Sequence, residues 1–199
     1  MALLRPMAAE GLQRRWRWAG AGLALAGLLL AGASIGRAQG AAGVEEYRIK
    51  AVFVLNFVHF VQWPPRAEPA SAAPLVIGVL GSDPEAPYLE EAVRGESFGT
   101  HPLVVQRYRR IEDVDGCQIL FIGRSEAGDL RRVLAGLKDR SILTVGDDDR
   151  FSERGGMIAL VTANKKIRLK INVGAAQAAD LRIDARLLRP AQIVSTEAG

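Results

Sequence analysis

Few residues in this chain have the types and spacings that make or break bonds. Gly123-Arg124-Ser125-Glu126-Ala127-Gly128 sets a serine between glycines. Its second glycine falls one residue too late for a nucleophile elbow. His59 and His101 are the only histidines that could act as a base. One falls on the polar stripe of an apolar segment, the other between a threonine and a proline. No His/Cys cluster offers a zinc site. Asp147-Asp148-Asp149 could attract a cation, but calcium loops alternate their ligands and add a glycine and a distal glutamate, which this run does not. Gly78-Val79-Leu80-Gly81-Ser82-Asp83 leads from a strand into a helix, where phosphates often bind, yet it lacks the third glycine of the dinucleotide fingerprint. Cys117 is the single cysteine, which rules out an internal disulfide and reads as a buried residue opening a strand. The residues argue against an enzyme and imply no metal or cofactor.

The start of the chain points to export. Arg14, Arg15 and Arg17 precede an uncharged apolar run from Ala19 to Ala33, and Gly36-Arg37-Ala38 offers the small residues a signal peptidase reads. The run is shorter than the roughly 17–25 residues a membrane span needs. A signal peptide over 1–38, cleaved near Ala38, and a periplasmic location are expected, with 39–44 as a flexible lead-in and 195–199 as a tail.

This segment also explains the charge. The whole chain has 26 basic and 22 acidic residues. Residues 1–38 hold five Arg and one Glu, which leaves 21 of each sign in the rest. A neutral domain lacks the basic excess that phosphate neutralisation favours, so nucleic acid is not an expected partner.

The elements that must position any site come next. An apolar segment from Tyr47 to Trp63, stopped by Pro64-Pro65, reads as a helix. Its polar stripe holds Glu45, Arg48, Asn56, His59 and Gln62 and is interrupted by Val52. So much apolar surface makes this helix central to the core, or partly presented to a partner. Strands are predicted at Leu75 to Leu80, His101 to Tyr108, Cys117 to Ile122 and Ile142 to Val145. Helices are predicted from about Glu85 to Val93 and from Ser125 to Leu137. Met157 to Val161 and Ile167 to Ile171 suit a hairpin across Thr162-Ala163-Asn164-Lys165-Lys166. Asn172 starts a small-residue helix, and Asp184 caps a last one through Leu188. The order predicts one α/β sandwich over 45–194, with a mixed sheet of about six strands flanked by helices.

Several phrases carry a resemblance. They are Tyr47-Arg48-Ile49-Lys50-Ala51-Val52-Phe53-Val54-Leu55-Asn56-Phe57 with Trp63-Pro64; Ile77-Gly78-Val79-Leu80-Gly81; Cys117-Gln118-Ile119-Leu120-Phe121-Ile122; Ile142-Leu143-Thr144-Val145; Phe151 with Gly155-Gly156-Met157-Ile158; Lys170-Ile171-Asn172; and Leu187-Leu188. In this order they resemble the YfiR/HmsC-like family of small exported bacterial proteins. The resemblance implies an α/β sandwich, a periplasmic location and a non-enzymatic role. Its members hold an inner-membrane diguanylate cyclase in check through the cyclase's periplasmic sensor domain, and so restrain cyclic di-GMP and biofilm. Some carry further cysteines that pair, a switch the lone Cys117 does not supply.

Two classes of function follow. In the first, the protein is a periplasmic regulator of a diguanylate cyclase or another membrane sensor protein. Asn56, His59 and Trp63 near the first helix, and Arg182 and Arg186 near the last, are then the contacts. Phe57, Phe60, Leu187 and Leu188 are assigned to the core, and a homodimer stays open. In the second, it is a periplasmic small-ligand-binding domain, with Gly81, Ser82 and Asp83 lining a cleft at strand carboxyl ends. A hydrolase is a distant third.

Overall fold

The computed structural model describes residues 43–82 and 84–197. The expected signal peptide, most of the lead-in, Asp83 and the last two residues lie outside them. Within residues 45–199, one body carries the fold.

Helix α1 spans residues 43–56 and passes into a short 3-10 turn, Phe57–His59. Strand β1 (Val61–Gln62) follows. Then come β2 (Leu75–Leu80), α2 (Ala86–Ala92), β3 (Ser97–Phe98), β4 (His101–Tyr108), β5 (Ile119–Ile122), α3 (Leu130–Gly136) and β6 (Leu143–Gly146). The chain ends with β7 (Ile158–Ala163), β8 (Lys166–Asn172), α4 (Val173–Ala178), β9 (Arg182–Ile183), α5 (Ala185–Leu188) and β10 (Gln192–Val194).

The main sheet has eight strands in the order β10-β8-β7-β6-β5-β2-β4-β3. Strands β4, β2, β5, β6 and β7 run parallel, β8 returns antiparallel to β7, and β10 pairs parallel to β8. The fold is thus the expected α/β sandwich with a mixed sheet, but with eight strands rather than six. The extra two, β3 and β10, are edge strands of two and three residues, too short to show an alternating pattern.

Apolar runs form the central strands because both faces are covered. In β5, Ile119 and Phe121 join one core cluster with Ala51, Val54 and Phe57 of the α1 region, while Leu120 and Ile122 join the other with Leu130 and Val133 of α3. The β7–β8 hairpin closes more tightly than the five-residue turn predicted. Ala163 pairs with Lys166, leaving a two-residue turn. Asn164 and Lys165 take positive φ of 52° and 60°, the geometry that matches the twist of paired strands.

The first helix also differs from expectation. It stops near Asn56 rather than running to Trp63, and Val61–Gln62 pairs as a strand with β9. The apolar run does not mark this change, because Phe57 and Val58 in the 3-10 turn and Val61 in the strand are all buried.

Candidate functional site

Helix α1 lies along one face of the sheet and, with the 3-10 turn that follows it, runs from the carboxyl ends of the parallel strands toward their amino ends. Its N-terminal half is held at the carboxyl ends of the parallel strands. Lys50 Nζ lies 2.7 Å from Glu46 Oε1 and 3.1 Å from Asp147 Oδ2, just past β6. Thr162 Oγ1, near the end of β7, donates to Glu46 Oε1 at 2.7 Å. Arg124, just past β5, donates from Nε to the same Asp147 oxygen at 2.9 Å. Lys50 and Asp147 are buried, whereas the Arg124 side chain is 64% exposed.

The electrostatics follow from that geometry. Burial opposes the charge on Lys50, but the Glu46 hydrogen bond and the field of Asp147 outweigh it and raise its pKa above the ordinary lysine value. Burial likewise opposes the Glu46 charge, and hydrogen bonds from Lys50 and Thr162 bring its pKa below the usual carboxylate value. The cluster fastens α1 to the sheet.

The same edge holds the residues expected for a small-ligand cleft. The chain leaves β2 toward β4 on one side and returns to β5 on the other, so the strand order reverses between β2 and β5. Gly81 and Ser82 sit past β2, and Ser82 N donates to Ser125 Oγ past β5 at 3.1 Å. Gly81 takes a φ of +91°, and a Cβ there would collide with Ser125. Asp83 lies outside the described residues.

The residues expected to contact a partner gather at the opposite edge. Trp63 Nε1 donates to the carbonyl of Gln118, just before β5, at 3.2 Å. Val61 pairs with Ile183 and Gln62 with Arg182, so the β1–β9 pairing brings together segments far apart in sequence. Arg186 is ion-paired to Asp184 at 2.9 Å and sits over the Phe60 ring at 5.5 Å. His59 meets Phe98 edge-on, 5.2 Å between ring centroids. Asn56 is set apart: it is exposed on α1 and bonds back to the Val52 carbonyl at 2.7 Å. Phe57 and Leu187 are buried, while Phe60 and Leu188 are partly buried against the core.

Trp63 and Arg182 line one open concavity of about 700 Å³, together with Arg66, Gln177 and Asp180. Arg66 is ion-paired to Asp180. The outer stripe of α1 exposes Ile49 and Val52, the latter 51% exposed.

Among the described residues, neither histidine lies beside Ser125. His59 packs on Phe98, which pairs with the first residue of β4, and His101 Nδ1 lies 2.7 Å from Ala73 O. Both histidines are at the amino ends of the parallel strands, and Ser125 is at the carboxyl ends. Among the described residues no group of three His, Cys, Asp or Glu could hold a metal. Cys117 is buried before β5, and burial pushes its thiol up to about 12.

Residues 47–192 match the model of one family, described as YfiR/HmsC-like. The chain belongs to the YfiR/HmsC-like family. No curated protein matches the chain. Among solved structures, this YfiR/HmsC-like chain is similar to the ABC domain in complex with L-Trp from Streptococcus pneumonia, with TM-score 0.48 and 11% identity over 60% of this chain and 55% of that one. It is also similar to a conserved domain protein from Vibrio cholerae O1 biovar El Tor, with TM-score 0.47 and 14% identity over 59% of this chain and 54% of that one. A ligand-free, open substrate-binding protein with adhesive properties from Clostridium difficile gives TM-score 0.45 and 11% identity over 62% and 55%. The chain thus spans just over half the length of each. No helix among the described residues is long and apolar enough to cross a membrane.

The sequence missed Lys50 and Asp147 as a pair. Lys50 interrupts an apolar run, which is a signal that a partner is needed. The partner, 97 residues away, resembled an ordinary acidic turn.

Proposed function

We propose that the protein is a periplasmic regulatory binding protein that represses an inner-membrane diguanylate cyclase by binding its periplasmic sensor domain. The match to the YfiR/HmsC-like family across residues 47–192 carries this reading. The clustering of Trp63, Arg182 and Arg186 around the β1–β9 pairing supports a contact surface there. It combines an aromatic ring with guanidinium groups, the residue types enriched at the centres of protein interfaces. Repression works by population shift. The regulator binds the inactive cyclase more tightly than the active one, and only that difference lowers activity. No catalytic step by this chain is required.

The test is cellular cyclic di-GMP with and without the gene. Deletion raises it. The exported chain restores it, and a chain lacking residues 1–38 does not. No change on deletion, with expression and export verified, overturns the reading. Replacing Asn56, His59 and Trp63 together tests the first-helix part of the surface: full repression by that folded variant removes this segment from the contact.

A further inference from the structure

A second concavity, of about 320 Å³, opens at the same edge of the sheet. That lies at the small end of the range typical of small-molecule sites, roughly 300–1,000 Å³. Val61, Trp63, Leu75 and Phe98 give it apolar and aromatic walls, and its polar groups include Glu68, His101 and Gln118.

Most of that polarity is already spent. Gln118 Oε1 accepts from Val76 N at 2.9 Å, and its Nε2 donates to Ala67 O at 3.2 Å. The Trp63 indole N–H is used on the Gln118 carbonyl. His101 Nδ1 faces the Ala73 carbonyl at 2.7 Å, so in the neutral ring the proton sits on Nδ1. Nε2 is then an acceptor. Glu68 is exposed and forms no ion pair among the described residues. Gln62 and the second Gln118 N–H keep donor capacity, but the one charged side chain of the lining is the Glu68 carboxylate, beside two aromatic rings. Aromatic faces also attract cations.

We infer that this cavity binds a small organic cation: a protonated amine carried on a ring-sized apolar body. Glu68 and His101 Nε2 receive the ammonium, and Trp63 and Phe98 pack against the body. A carboxylate on the ligand is disfavoured by Glu68. The inference rests on the cavity alone, not on the proposed repression, and its test needs no partner protein.

The test is calorimetric titration of the purified protein with phenethylamine, with phenylacetate as the anionic control of the same size. Phenethylamine binds saturably and phenylacetate does not. Glu68→Gln weakens phenethylamine binding roughly tenfold, as expected for loss of one charge-assisted contact. Glu68 is exposed, so this variant keeps the fold, which circular dichroism confirms. Phe98→Ala weakens binding through loss of a wall. No saturable binding of phenethylamine, an equal response to phenylacetate, or an unchanged affinity in Glu68→Gln overturns the assignment.

Discussion

Lys50 Nζ and Asp147 Oδ2 lie 3.1 Å apart, and both residues are buried. Removing one partner leaves the other charge in a low-dielectric site, a loss of roughly 3–5 kcal/mol for buried pairs. Arg124 stays on Asp147 in Lys50→Met, and Glu46 stays on Lys50 in Asp147→Asn, so each single change costs about 3 kcal/mol, at the lower end of that range. The double variant loses less than the sum, because neither charge is then stranded. Arg124→Ala costs under about 1 kcal/mol, because its side chain is mostly exposed. Urea unfolding of the four variants checks this, and additive losses refute the coupling.

The same cluster sets a pH profile. The folded pKa of Glu46 lies below its ordinary value of 4.5, so its contribution is complete above that value and is lost as the pH falls through the folded one. The folded pKa of Lys50 lies above its ordinary 10.5, so its contribution is complete below 10.5 and is lost as the pH rises through the folded value. Thermal midpoints measured against pH should lose part of the acid limb in Glu46→Gln and part of the alkaline limb in Lys50→Met. Unchanged limbs in both variants contradict this assignment.

Much of this architecture was legible, and the losses have physical reasons. Strands β2 and β4 have the boundaries their sequence predicts, because continuous or bounded β-rich runs mark them. Asn172 and Asp184 are helix caps, as their types and positions suggest. The end of α1 was not legible, since Phe57, Val58 and Val61 stay apolar and buried through the change from helix to strand. Nor was the β1–β9 pairing, in which two-residue strands find their partners across the chain. The five residues chosen as partner contacts came from two short segments, and that unseen pairing places four of them close together.

Cys117 should behave as an inert thiol. Burial pushes its pKa up to about 12, so little thiolate exists near neutrality. Iodoacetamide at pH 8 should leave the native protein unmodified and label it fully in denaturant. Rapid native labelling would instead show that the start of β5 opens.

Charge at the proposed partner surface can be reversed without touching the core. Arg182 and Arg186 are exposed at the edge that carries Trp63. Arg186 does hold Asp184, the cap of α5, but the Asp184 side chain also accepts from Arg186 N at 2.7 Å, a bond the substitution retains. Arg182→Glu with Arg186→Glu should therefore keep the thermal midpoint within a few degrees, a change under about 1 kcal/mol. It should raise cyclic di-GMP toward the level of the deletion. Full repression by the folded double variant moves the contact elsewhere.

Asn172 joins three elements with one amide. Its Oδ1 accepts from Ala175 N at 2.9 Å and caps α4. Its Nδ2 donates to Ser152 O at 3.0 Å and to Thr196 Oγ1 at 2.9 Å, beyond the edge strand β10. The C-terminal segment is held further by Glu197 N on Glu153 O at 2.8 Å. Asn172→Ala removes the cap and strands a buried carbonyl, which together cost about 2–4 kcal/mol. Asn172→Asp keeps the cap but gives up both donated bonds, so its loss separates the two roles. Thr196→Val removes only one partner at the chain end and costs about 1 kcal/mol or less. Hydrogen exchange adds a readout that global stability does not: amides of 192–194 should exchange faster in Asn172→Asp while those of β5 keep the protection set by global unfolding. Unchanged protection of 192–194 would show that β10 is held by its pairing to β8 alone.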